Sequence, residues 1–216
     1  MITETFDYDG GRQVSVHVPP DPVEAVVFCG DGQVIVPCGD RLVAAGLRST
    51  MIIGAHRTTG DEMIRIGEYS PTIEPERFLR HEHFFLNQVR GWARTALGIE
   101  LPAERTAVAG VSASAELALA LGVRHPTVFG AVLAASPGGG YRPPSTWPET
   151  LPRTYLTAGD REPFFADNAQ RWADALRDAD AEVTMTVRAG DHGDPFWAEE
   201  FPRMVAWAFR AHNDVS

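Results

Sequence analysis

Residues 105–121, RTAVAGVSASAELALAL, predict a strand, a sharp turn and a helix that follow one another without a break. The turn is GVSAS at 110–114, which differs from the G-x-S-x-G pattern of a nucleophile elbow only in its last residue, Ser114. In such an elbow the serine, here Ser112, stands at a strained turn above a parallel sheet, and the amide of the next residue faces a developing oxyanion. The alternative interpretation is that Ser112 only caps the helix at 113–123.

The segments around this turn predict an α/β fold. Buried strands are expected at 23–29, 50–54, 128–135 and 153–157, an edge hairpin at 3–8 and 13–18, and a strand near the sheet edge at 182–187. Helices are expected at 40–46, 75–97, 113–123, 164–176 and 196–209, with a loop of little pattern at 55–75. This order predicts the α/β-hydrolase type of architecture, a mostly parallel sheet with helices on both faces, in a single domain over 1–216.

The apolar positions of the helices predict which faces turn inward. On the helix at 75–97 the stripe includes Trp92 and Ala96, on the helix at 164–176 it begins at Phe165, and on the last helix it begins at Trp197. The Gly- and Pro-rich loop at 136–152 is too short for a substantial cap, so an open, shallow site is expected at the sheet edge.

Three predicted loops carry a serine, an acid and a histidine in the chain order of α/β-hydrolases. Ser112 follows a central strand, Asp160 and Glu162 follow a later one, and His192 follows the last. Because the carboxyl ends of parallel strands meet at one edge, these side chains are expected to lie together. His192 would take the proton of Ser112, and a carboxylate would hold its tautomer. The residues alone leave Asp160 and Glu162 open, since either could instead cap the helix at 164–176.

The oxyanion hole is expected to combine the amide of Ala113 with one from the loop after the strand at 23–29, at Gln33 or Gly32. Asp31 in that loop is interpreted as a turn residue. No metal site is predicted, because the histidines of HEH at 81–83 are two positions apart and do not share a helix face. The GGG at 138–140 lacks the lysine of a phosphate-binding loop and is interpreted as a flexible lip of the site.

Composition excludes several other classes of function. A net charge of −10 in 216 residues disfavours nucleic-acid and anionic-membrane partners, and the 19 basic residues are all arginine, which excludes a Schiff-base lysine. Cys29 and Cys38 are too few for a disulfide framework and are expected to be reduced. The chain starts with no basic and apolar leader and has no apolar run near ~18 residues, so a cytoplasmic location is expected.

Several segments resemble the esterase family of α/β-hydrolases that includes enterochelin and other siderophore esterases and the esterase D-type hydrolases. They are VVFCGDGQ, RIGEYSPT, the elbow with its helix and following strand, TAGDREPF and GDHGDPFW, and the resemblance extends from Val26 to about Phe209. The resemblance implies Glu162 as the acid and His192 as the base, and hydrolysis of a small-molecule carboxylic ester without metal or organic cofactor. The sequence departs from the pattern at Ser114 and Asp191, and it is expected to lack the additional N-terminal domain of cytoplasmic enterochelin esterases.

Three functions are compatible with the sequence. The first is a serine carboxylesterase that works through an acyl-enzyme on siderophore-type or other accessible esters. The second is an acyltransferase on the same fold, in which an alcohol replaces water as the acceptor. The third is a non-catalytic scaffold that acts as a binding protein, with Ser114 as the substitution that spoils the elbow.

Overall fold

Eight strands form a single sheet in the computed structural model, which describes residues 1–210. The last six residues of the predicted domain 1–216 lie outside the described residues. In chain order the strands are β1 (Ile2–Phe6), β2 (Arg12–His17), β3 (Ala25–Cys29), β4 (Thr50–Ala55), β5 (Thr106–Val111), β6 (Ala131–Ala135), β7 (Arg153–Gly159) and β8 (Val183–Arg188).

The order across the sheet is β1-β2-β4-β3-β5-β6-β7-β8. The pairs β1–β2 and β2–β4 are antiparallel, and all other neighbours are parallel. The predicted edge hairpin and mostly parallel sheet are therefore confirmed. The strand expected at 128–135 begins only at Ala131, because Val128 and Phe129 close a turn onto the carbonyl of His125.

Helices cover both faces of the sheet, as predicted. They are α1 (Gly32–Ile35), α2 (Gly39–Ala44), α3 (Glu62–Tyr69), α4 (Pro75–His83), α5 (Arg90–Leu97), α6 (Ala113–Arg124), α7 (Pro163–Asp178) and α8 (Phe196–Ala208). The strands alternate between two cores: Val26 and Phe28 face a core with α3 to α7, whereas Val27 and Cys29 face a core with α1, α2 and α8. No helix within residues 1–210 is long and apolar enough to cross a membrane.

Two expectations about the helices are wrong. The segment expected as a loop contains α3, which begins where the carboxylate of Asp61 accepts a hydrogen bond from the amide of Met63 at 2.7 Å. The helix expected at 75–97 contains a π-helix, Phe84–Val89, between α4 and α5. The wider π turn changes which residues follow on the inner face, so Ala93 is buried and Ala96 is exposed.

The parallel strands bring their carboxyl ends to one edge of the sheet. Across this edge the amide of Ser112 donates to the carbonyl of Ala135 at 2.9 Å, and the amide of Ser136 donates to the carbonyl of Thr157 at 2.8 Å. The amide of Asp160 donates in turn to the carbonyl of Arg188, also at 2.8 Å. The loops that carry the predicted site residues therefore leave the sheet side by side.

We predict that Gly110→Ala destabilises the fold, because a Cβ at this position would lie 1.9 Å from the backbone oxygen of Ser114. Overpacking against backbone costs about 1–3 kcal/mol. Gly91→Ala in α5 is the matched control, since its Cβ would meet nothing within 4 Å, and it is expected to stabilise the helix by about 0.5–1 kcal/mol. Urea unfolding of both variants measures the difference. A Gly110→Ala variant as stable as the wild type would contradict the close approach of strand and helix.

Candidate active site

Ser112 lies at the tip of a sharp turn between β5 and α6. Its backbone has φ 57° and ψ −123°, a strained conformation for a residue with a side chain. Ser112 stands at the N-cap position of α6, but its side chain makes no capping hydrogen bond, so its hydroxyl does not cap the helix. Instead, Ser112 Oγ lies 2.9 Å from Nε2 of His192, within hydrogen-bond distance.

Ser114 fits the turn in place of the usual glycine. Its fully buried hydroxyl accepts a hydrogen bond from the amide of Val111 at 2.8 Å and donates one to the carbonyl of the same residue at 2.9 Å. The side chain of Ser114 has room because the facing residue, Gly30 just after the neighbouring β3, has no side chain. A Cβ on Gly30 would lie only 3.0 Å from Ser114 Cβ. The serine therefore ties the first turn of α6 to β5 and does not distort the elbow.

His192 makes contacts through both nitrogens of its ring. Nε2 faces Ser112, and Nδ1 lies 2.7 Å from Oε2 of Glu162, whose side chain is only 1% exposed. The ring stacks on Phe165 with a centroid distance of 3.8 Å and meets Trp197 edge-on at 5.0 Å. Phe165, which was expected to face the core, is half-buried and stacks on His192 instead. Trp197 is also half-buried, and it packs both against His192 and against the core with α1, α2 and α8, as predicted.

The second oxygen of Glu162 is also occupied. Oε1 accepts hydrogen bonds from the amide of Gly159, at 2.6 Å, and from the hydroxyl of Ser136. The Ser136 hydroxyl accepts in turn from Nε1 of Trp197 at 2.8 Å. Glu162 likewise stands at the N-cap position of α7, but its carboxylate makes no capping hydrogen bond to that helix. No role was predicted for Ser136 from the sequence. Its position directly after β6, at the same sheet edge as the other site residues, is the feature from which a role could have been predicted.

Asp160, the alternative acid, has another partner. Its side chain is half exposed, and Oδ1 accepts a hydrogen bond from the amide of Gly190 at 3.0 Å. Asp194 braces the same loop, because Oδ2 accepts from the amide of Asp191 at 2.8 Å and from Arg161 Nη2 at 3.0 Å. Asp160 therefore supports the loop that carries His192 without contacting the imidazole.

The three amides expected for the oxyanion hole lie at the starts of two helices on neighbouring strands. Ala113 is the first residue of α6, after β5, and Gly32 and Gln33 open α1, after β3. Within residues 1–210 none of the three amides has an intramolecular acceptor. The side chain of Gln33 turns the other way, where its Oε1 accepts from the amide of Arg57 at 3.2 Å. Free amides at helix starts suit a negative charge.

Solved structures of several esterases resemble this fold. A ferulic acid esterase matches with a TM-score of 0.77 and 19% identity over 97% of both chains. The enterochelin esterase of Shigella flexneri matches with a TM-score of 0.76 and 18% identity; the match covers 97% of this chain but 58% of that one. The S-formylglutathione hydrolase of Staphylococcus aureus gives 0.72 and 10% over 97% and 98%. At these identities the likeness establishes the fold. A comparison with curated protein sequences finds no match.

The family model described as "Putative esterase" matches residues 13–208, which is nearly the whole chain. The chain belongs to this esterase family. It is therefore a carboxylic ester hydrolase of the α/β-hydrolase type, as the resemblance of its motifs implied.

Two residues of α3, the helix that was not predicted from the sequence, stabilise the turn that leads from β3 into α1 in this esterase. Asp31 begins the loop in the left-handed conformation, with φ 48° and ψ 44°. Its buried carboxylate accepts from Nε of Arg65 at 3.0 Å and Nη2 at 2.5 Å, and its amide donates to the hydroxyl of Tyr69 at 3.2 Å. The turn interpretation of Asp31 is confirmed. Asp61 followed by an i, i+4 pair, Arg65 and Tyr69, is the sequence signal that could have revealed α3.

A second buried cluster of the esterase joins α3 to β2 and α4. Arg12 donates to both oxygens of the fully buried Glu68, at 2.9 and 3.0 Å, and Nδ1 of His81 lies 3.1 Å from Oε1. Burial alone would raise the pKa of Glu68, but the contacts with His81 and Arg12 outweigh it and lower the pKa to about 2. The carboxylate therefore stays ionised inside the protein at neutral pH.

The HEH stretch does not form one site in the esterase. His81 faces Glu68, His83 is exposed, and Glu82 accepts hydrogen bonds from Nε and Nη2 of Arg124 at 2.6 and 2.9 Å. Among residues 1–210 no group of three or more potential metal ligands comes together. The expectation that the esterase needs no metal stays a prediction.

We predict that Glu68→Gln destabilises the esterase strongly at pH 7, by about 3–5 kcal/mol, because Arg12 loses its buried partner. Since the folded pKa of about 2 lies below an unfolded value near 4.3, Glu68 contributes fully above the unfolded pKa. That contribution fades as the pH falls toward 2. Urea unfolding at pH 7 and at pH 3 should therefore give a smaller difference between variant and wild type at pH 3.

Glu149→Gln is the control for this comparison, because Glu149 is exposed in a loop and its replacement should change stability by less than about 0.5 kcal/mol. A difference between Glu68→Gln and the wild type that is the same at both pH values would contradict the proposed contribution of the ionised carboxylate.

Proposed function

We propose that this chain is a serine carboxylesterase in which Ser112 is the nucleophile, His192 the general base and Glu162 the residue that orients the imidazole. The observation that carries the proposal is the continuous chain of contacts from Ser112 Oγ to His192 Nε2, at 2.9 Å, and from His192 Nδ1 to Glu162 Oε2, at 2.7 Å. This is the arrangement that activates a serine hydroxyl, which is otherwise a poor nucleophile.

In the first half of the reaction, Ser112 Oγ attacks the carbonyl carbon of the ester while its proton passes to His192 Nε2. The carbonyl oxygen becomes an oxyanion, and the amide of Ala113 with that of Gln33 or Gly32 donates hydrogen bonds to it. When the tetrahedral intermediate collapses, the bond to the alcohol oxygen breaks and His192 returns the proton to that oxygen. The alcohol leaves, and the acyl group stays on Ser112 as an ester.

In the second half, water takes the place of the alcohol. His192 Nε2 accepts a proton from the water as its oxygen attacks the acyl carbon, and then gives the proton back to Ser112 Oγ as the carboxylic acid leaves. Glu162 lies on Nδ1 throughout and stabilises the imidazolium that forms in each half. All steps use side chains and amides of this chain.

The surroundings of Ser112 support an accessible ester as substrate. The segment between β6 and β7 has no helix or strand that could form a cap, and the side chain of His192 is 33% exposed. Large or bulky esters can therefore approach the nucleophile. The siderophore-type ester that the family resemblance implies stays a prediction.

Labelling with a fluorophosphonate tests this proposal, because such a probe modifies a serine that a neighbouring base activates. We expect one adduct on the wild type by intact-mass spectrometry, and none on Ser112→Ala or His192→Ala. The matched controls are Ser145→Ala and His83→Ala, which replace an exposed serine and an exposed histidine and should be labelled like the wild type. An unlabelled wild type, or labelling that persists in Ser112→Ala, would overturn the assignment.

A further inference from the structure

A small apolar cavity lies between the α1 segment and α8. Its volume is about 150 Å³, and its walls come from both helices and from the end of β5. The apolar lining consists mainly of six side chains: Val34, Ile35, Cys38, Val111, Trp197 and Phe201. Val34 is 44% exposed, so the cavity has a partly open rim.

The cavity is next to the reacting groups. Val111 is bonded to Ser112, and Gly193, which also lines the cavity, is bonded to His192. Trp197 forms part of the wall and meets the ring of His192 edge-on at 5.0 Å. The wall of the cavity is therefore formed in part by the chain neighbours of Ser112 and His192 and by a ring that contacts His192.

The chemistry of the walls selects apolar groups. Asp194 is the one charged residue of the lining, and its carboxylate already accepts hydrogen bonds from Arg161 and from the amide of Asp191. A polar group placed in the cavity would lose its hydration without gaining a free partner, which is costly. An apolar cavity of about 150 Å³ accommodates a molecule of the size of benzene.

We propose that this cavity binds a short apolar group of the ester, such as a butyl chain or a phenyl ring. The inference rests on the proposed function, because it takes Ser112 as the nucleophile. The group belongs either to the acyl part or to the alcohol part of the substrate. Esters whose apolar group ends after a few carbons fill the cavity, and longer chains must extend past Val34 into solvent.

Ala198→Leu tests the proposal, because Ala198 is a half-buried residue of α8 that lines the cavity, and a larger side chain there fills it. Ala206→Leu is the matched control on the exposed face of the same helix. kcat/KM is measured for p-nitrophenyl acetate, butyrate and hexanoate, and for methyl and butyl acetate. We expect Ala198→Leu to lower the butyryl-to-acetyl or the butyl-to-methyl ratio at least about tenfold, and Ala206→Leu to keep both ratios.

The two series of esters distinguish the two sources of the apolar group. A change confined to the p-nitrophenyl series identifies the acyl part as the occupant, and a change confined to the alkyl acetates identifies the alcohol. If wild type, Ala198→Leu and Ala206→Leu share the same ratios in both series, the cavity does not bind the substrate and the proposal is overturned.

Cys38 allows a second, independent test. The chain has two cysteines; Cys29 is fully buried, whereas Cys38 is half-buried in the cavity wall. Methyl methanethiosulfonate converts an accessible thiol to a methyl disulfide, releasing methanesulfinate, and should add one group, at Cys38. We expect the modified wild type to show the same altered ratio as Ala198→Leu, and Cys38→Ser to be unaffected by the reagent. Full modification with unchanged ratios would count against the proposal.

Fluorophosphonate labelling separates this inference from the function on which it rests. If Ser112 of Ala198→Leu is labelled stoichiometrically, the variant is folded and its site is intact, so an unchanged ratio overturns the cavity proposal alone. If the wild type is neither labelled nor active on any ester in the two series, both proposals are wrong.

Discussion

The contacts on the two ring nitrogens of His192 connect three loops that are far apart in sequence. Ser112 follows β5, Glu162 follows β7 and His192 follows β8, yet the distances along the chain of contacts are 2.9 and 2.7 Å. Such distances require the parallel strands to keep their register, because the register fixes the position along the sheet edge at which each loop begins. The sheet therefore acts as the rigid support on which the proposed catalysis depends.

Three adjacent strands leave the sheet through residues with positive φ that are not glycine: Asp31 after β3, Ser112 after β5 and Ser136 after β6. Each such residue costs about 1–3 kcal/mol and persists only where its surroundings hold it. Asp31 is held by Arg65 and Tyr69 of α3, and Ser136 by its hydrogen bonds to Glu162 and Trp197. The buried polar clusters around the site therefore stabilise the sharp turns that aim amides and hydroxyls at one point.

The sequence predicted the sheet, its edge hairpin and the three loops that carry Ser112, the acid and His192 at one sheet edge, because strand periodicity and glycine-bounded turns are local signals. It did not predict α3, since buried charged residues of that helix pair with other elements: Arg65 contacts Asp31, and Glu68 contacts Arg12 and His81. It also placed Phe165 in the core, although this ring stacks on His192. Helical periodicity marks an inward face, but it does not distinguish a core from a site lined by aromatic rings. Strand and turn signals could not decide whether Asp160 or Glu162 is the acid, because both residues follow the same strand. Only the family resemblance favoured Glu162.

The most direct test of this account is the kcat/KM of Glu162→Gln beside that of Asp160→Asn on one activated ester at neutral pH. The account predicts a loss of about 10³–10⁴-fold for Glu162→Gln, because the imidazole loses the carboxylate that orients it and stabilises its charge. Asp160→Asn should remain close to the wild type, since the carboxylate of Asp160 contacts the amide of Gly190 and the exposed side chain of Arg161 but not His192. A wild-type rate in Glu162→Gln, or an equal loss in Asp160→Asn, would contradict the proposed arrangement.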